Sequence, residues 1–156
     1  MPDFVPAPAT LPSGLRIYAI GDVHGCLEKL IALQQAIAED IAARPVERAI
    51  RLYLGDYVDR GPDSAGVVNR LVEGTGSAGA RVVHLMGNHE DLMLGALDAR
   101  TPDAVALWMM NGGAESLLSW GIPRNAEPDS WITRIPARHL AFLRELSMSH
   151  AAGGYL

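Results

Sequence analysis

The chain has 156 residues, 49% of them hydrophobic and 20% charged, and 13 Lys plus Arg against 18 Asp plus Glu give a formal net charge of -5. That is apolar material for one domain with a core, and it excludes a sequence-wide basic field for holding nucleic acid. Cys26 is the single cysteine, which excludes an internal disulfide framework, and no apolar run reaches membrane length, so the expectation is a soluble cytoplasmic protein.

Residues 1–14 hold four prolines and no continuous apolar run. They are expected to form a flexible arm ahead of one domain over 15–156. LRIYAI at 15–20 reads as a buried strand closed by Gly21, and 26–43 as an amphipathic helix with Leu27, Leu30, Ile31, Ile37 and Ile41 near helical spacing. The order then repeats. AIRLYL at 49–54 is a second strand, 63–73 a helix, ARVVHLM at 80–86 a third strand, and EDLMLGALDA at 90–99 a helix. Such alternation predicts an α/β domain with right-handed crossovers and a largely parallel sheet. Helices are expected over 102–111, 114–120 and 137–148, with a loop around Pro123 and Pro128. Gly153 and Gly154 punctuate the end, and Tyr155 and Leu156 look like the opening of another strand.

Three times an apolar strand runs into glycine and then a polar group: GDVHG at 21–25, GDYVDRG at 55–61 and GNHE at 87–90. Loops at the carboxyl ends of strands in open α/β sheets form the ligand crevice, so the three groups are expected to meet. Taken singly, Asp22, Asp56 or Asn88 is an ordinary turn or cap residue, and a lone His24 or His89 is ordinarily structural. Jointly, Asp22, His24, Asp56, Asn88 and His89 mix carboxylate, imidazole and amide donors without thiolate, which suits manganese, iron or zinc. Two such ions would lower the pKa of a shared water and clamp an in-line displacement at phosphorus. Arg60 could grip phosphoryl oxygens, His89 could protonate a leaving alcohol, and Asp59 could hold its ring.

These blocks, in this order and spacing, closely resemble the signatures of the calcineurin-like metallophosphoesterase superfamily, within it the phosphoprotein phosphatase family and its bacterial and phage branch. WMMNGG at 108–113 also looks like that branch, and the resemblance covers 15 to about 121. It implies a β-sandwich flanked by helices and a centre of two divalent metals. Asp22 and His24 would hold the first ion, Asp56 would bridge, and Asn88 would hold the second while touching substrate. His89 with Asp59 would be the proton-donating pair, and Arg60 would bind phosphate. Family members complete the second metal with two later histidines, so the chain is expected to lack the C-terminal strands and to be inactive or weakly active alone. His150 is expected to be a loop residue rather than a substitute ligand.

The expected activity is phosphoester hydrolysis, in first place by a serine/threonine protein phosphatase through direct attack of metal-bound hydroxide. A symmetrical dinucleoside polyphosphate hydrolase comes second, and a catalytically incomplete binding module is the reading outside the enzymes. The partner is a phosphoprotein or a small phosphoester, with no nucleic acid and no membrane. GTGSAG at 74–79 follows a helix rather than a strand, so it is a loop and no dinucleotide fingerprint. HEDLM at 89–93 lacks a zinc protease's second histidine, Cys26 lacks the arginine of a cysteine phosphatase, and the run 107–110 is read as core.

Overall fold

The computed structural model describes residues 9–74 and 79–155. Most of the expected arm, residues 1–8, therefore lies outside the described residues, as do 75–78 of the glycine-rich loop and Leu156. Strands β1 (Leu15–Ile20), β2 (Arg48–Tyr53) and β3 (Arg81–His84) form a parallel sheet in the order β1-β2-β3, with Leu15 beside Arg48 and Ile50 beside Arg81. Parallel neighbours need long crossovers. Helices α1 (Leu27–Ala43) and α2 (Ser64–Val72) supply them. Beyond β3 come α3 (Asn88–Ala99), α4 (Pro102–Met110), α5 (Gly113–Ser119), a 3-10 turn (Pro128–Ser130) leading into α6 (Trp131–Arg134), and α7 (Ala137–Arg144).

The strand period of two sorts the sheet's faces. Tyr18 and Tyr53 meet α1, the first donating to Asp40 at 2.6 Å and the second accepting from the Gln34 amide at 2.8 Å. Leu30, Gln34 and Ile37 recur at helical spacing on the buried side of α1, and the core continues through Val67, Val68 and Leu71 of α2. Each such apolar side chain contributes about 1.5–3 kcal/mol by leaving water. On the other face, Ile17, Ala19 and Leu52 line a cavity of about 280 Å³ with Leu11, His150, Ala152 and Tyr155. The last residues of the expected arm are tied there: Gly154 N–H donates to the Thr10 carbonyl, and the Tyr155 hydroxyl to that of Ala9.

Several boundaries differ from expectation. Helix α7 ends at Arg144, four residues early, because Ser147 is captured by the sheet edge, donating to the His84 carbonyl and accepting from Met86 N–H. Helix α3 opens at Asn88 rather than Glu90, because side-chain oxygens already satisfy its first amides. Pro128, read as loop punctuation, instead starts the 3-10 turn that leads into α6, where a missing N–H costs nothing. Among the described residues there is one sheet, with isolated bridges Leu85–Ser147 and Ala152–Tyr155. No helix of the described residues is long and apolar enough to cross a membrane.

Candidate metal centre and catalytic cleft

The loops leaving β1 and β2 are stitched together by backbone. Val23 and His24 N–H both donate to the Asp56 carbonyl, Gly25 N–H to that of Tyr57, and Asp63 N–H back to that of Gly25. Glycine permits this approach: a methyl on Gly61 would run into the His24 carbonyl, and one on Gly55 into the Gly87 backbone. Among the described residues, five non-glycine residues have left-handed backbone, and four of them are here: His24, Asp56, Asp59 and Arg60. That conformation costs on the order of 1 kcal/mol or more per residue, and it concentrates where side chains are being aimed.

His24 Nδ1 lies 2.8 Å from the Val58 carbonyl, and a carbonyl only accepts, so this nitrogen carries a proton. Nε2 then faces Arg60 Nη1 at 3.0 Å, with Asp22 Oδ2 4.0 Å away. A guanidinium only donates, so Nε2 presents its lone pair to the cleft. Asp56 accepts from His89 N–H at 3.1 Å, and the His24 and His89 rings meet edge to face at 4.6 Å. One ligand atom each from His24, Asp56 and His89 lies within 4.8 Å of the others. Imidazole nitrogen and carboxylate oxygen at that separation, with exposed Asp22 alongside, fit a borderline divalent ion. Asn88 is exposed at the first position of α3, next to His89.

His89 is 1% exposed and Asp59 0%, and His89 Nδ1 sits 2.8 Å from Asp59 Oδ2. Burial pushes the Asp59 carboxyl above its usual range, opposed by hydrogen bonds from Ser116, His89 and Trp108. Sequence reasoning missed Ser116 and treated Trp108 as core. Trp108 is buried, yet its indole N–H donates to both Asp59 oxygens at 3.0 and 3.1 Å. Its neighbours correct the expectation for 107–110: Leu107 and Met110 are exposed, because the helical period turns them away from the face holding Val105, Trp108 and Met109.

Glu90 was missed too. It is fully buried, and its carboxylate accepts from the N–H groups of Asp56, Tyr57, Val58 and Gly87 at 2.7–3.1 Å, locking the second polar loop to the third. The spacing of 32 to 34 positions hid this from sequence inspection. His150 lies apart, lining the cavity on the sheet's opposite face. His139 is a structural tie, accepting at Nδ1 from the Trp120 indole at 3.1 Å, and Cys26 is a half-buried residue at the start of α1.

A sequence profile of the calcineurin-like phosphoesterase family matches residues 15–142. Serine/threonine-protein phosphatase 1 of Salmonella typhimurium is 32% identical over 125 residues, 80% of this chain and 44% of that protein. The symmetrical bis(5'-nucleosyl)-tetraphosphatases of Nitrosococcus oceani and Pectobacterium carotovorum are 34% and 36% identical, over 68% and 66% of this chain and 36% and 35% of theirs. The chain thus spans less than half the length of these relatives.

Proposed function

The chain belongs to the calcineurin-like phosphoesterase family, and on that premise we propose that it carries the metal-binding and proton-donating half of a metal-dependent phosphomonoester hydrolase, a serine/threonine protein phosphatase of the bacterial cytoplasm. The observation that carries this reading is the meeting of His24, Asp56 and His89 in one cleft, with Asp59 behind His89 and Arg60 at its mouth. Asp22, His24, Asp56 and Asn88 would hold the divalent ions, and manganese suits these donors. When bound, the ions supply charge neutralisation and an activated water. Arg60 leaves the His24 nitrogen to grip phosphoryl oxygens. His89, its ring held through Nδ1 by Asp59, delivers a proton from Nε2 to the leaving alcohol.

A second reading, hydrolysis of symmetrical dinucleoside polyphosphates, is favoured by the named tetraphosphatases, whose identity equals or exceeds that of the phosphatase. Hydrolysis of an aryl phosphate by the chain with added manganese should fall about 100-fold or more in His89→Asn. Turnover should rise with manganese concentration and fall away in excess EDTA. Faster turnover of a phosphothreonine peptide than of diadenosine tetraphosphate supports the first reading, and the reverse order the second.

A further inference from the structure

We propose that Trp108 and Ser116 are positioning residues for the Asp59–His89 pair, an assignment that rests on the phosphatase reading. The geometry is a clamp of three donors around one carboxylate. The Trp108 indole N–H spans both oxygens, the Ser116 hydroxyl donates to Oδ1 at 2.7 Å, and His89 Nδ1 takes Oδ2 at 2.8 Å. Ser116 also accepts from the Asp59 N–H at 2.8 Å, so one hydroxyl holds both the backbone and the carboxylate of a residue in left-handed conformation. Ser64 closes the set: with the Ser116 proton committed to Asp59, the Ser64 hydroxyl, 3.0 Å away, donates to Ser116.

An ordinary core tryptophan needs one acceptor for its N–H, and a backbone carbonyl serves, as Ala126 does for Trp131. Trp108 instead spends its only donor on the residue that orients His89. Each neutral donor disperses the carboxylate's charge and fixes its plane. Ringed by these donors, the fixed Asp59 carboxylate accepts, which keeps the proton on His89 Nδ1 and leaves Nε2 as the atom facing the cleft. The same stretch reaches the phosphate-binding side, since the Gly112 carbonyl accepts from Arg60 N–H at 3.3 Å. Residues 108–116 thus bear on the proton donor and on the phosphate grip together.

The test is the tautomer of neutral His89, read from long-range proton–nitrogen spectra of the metal-free chain. A single Nδ1–H tautomer is expected in the wild type, with mixed tautomers in Trp108→Phe and Ser116→Ala. Ser116→Thr, which keeps the hydroxyl, should restore it. Trp120→Phe is the control: it removes an indole hydrogen bond to His139 and should leave His89 unmoved. In turnover, Ser116→Ala should lower kcat about tenfold with KM within about twofold, the scale of an outer-shell partner. An unchanged tautomer in both Trp108→Phe and Ser116→Ala overturns the proposal, as does a Trp120→Phe chain in which His89 is equally disturbed. If Trp108→Phe does not fold, the two Ser116 variants decide. Turnover that His89→Asn leaves unchanged sinks the phosphatase reading, while the tautomer still decides this one.

Discussion

Four backbone amides converge on the Glu90 carboxylate, and three of them belong to the loop that carries Asp56 and Asp59. Burial pushes the Glu90 carboxyl above its usual range while those amides oppose it, so the group is held between a desolvation cost and four compensating bonds. Glutamine has the same length but one oxygen, and its amide N–H atoms would face backbone N–H groups head on. Glu90→Gln should therefore lower stability by about 2–4 kcal/mol in urea denaturation, the cost of stranding buried donors. A variant as stable as the wild type would show that the loops hold without Glu90. At this scale the sequence announced the residues that meet at the cleft, because Asp22, His24, Asp56 and His89 each come within five positions of a strand's end. It did not announce what stands behind them. Trp108 and Ser116 are 49 and 57 positions from Asp59, and only the chain's return through α4 and α5 brings them close.

The elements themselves were legible wherever a hydrophobic period ran long enough. Strand β1 and helix α1 fall within a residue of expectation, since six and seventeen residues of consistent pattern leave little choice. The end of α7 was hidden because it is set by hydrogen bonds to a strand some 60 positions earlier, a competition that no local pattern records. Strand β3 carries a less visible feature. His84 stacks on Tyr53 at 5.0 Å and meets Phe142 at 5.1 Å, with a buried Nε2 that has no hydrogen-bond partner. Burial lowers its pKa from 6.5 to about 4. The fold thus favours neutral imidazole, whereas the unfolded chain takes up a proton below about pH 6.5. The contribution is fully present above that pH and is lost as pH falls towards 4, reaching about 2–3 kcal/mol by pH 4.5. His84→Phe keeps the ring contacts and removes the proton. Its stability loss between pH 7 and 4.5 should be smaller than the wild type's by that amount, measured by urea denaturation at both values; equal losses would remove His84 from the acid response.

Across the whole molecule, the three polar loops are separated by 34 and 33 positions from Asp22 to Asp56 and from Asp56 to His89, and each is the far end of a different βα unit. An ion held among them cross-links units that the unfolded chain keeps apart, and such an ion has no comparable site once the loops separate. Binding to the folded state alone stabilises it by about 2.7 kcal/mol at 100 times the dissociation constant. For a chain of this size each kcal/mol moves the melting temperature by about 2–4 °C, so saturating manganese should raise Tm by roughly 5–10 °C. Excess EDTA should return it to the metal-free value. Asp56 is the decisive position, since its oxygen lies within 4.8 Å of a ring nitrogen of each histidine and its carbonyl ties down the first loop. Asp56→Asn preserves that carbonyl and the side chain's shape while removing the charge, so its metal-free Tm should stay within a few degrees of the wild type's and the manganese shift should shrink to near zero. Calcium, a hard cation that prefers six to eight oxygens, should move the wild type far less than manganese at equal concentration, because the His24 imidazole suits it poorly. A manganese shift that survives Asp56→Asn would place the ion somewhere other than the junction of the three loops, and the hydrolytic reading of this cleft would fall with it.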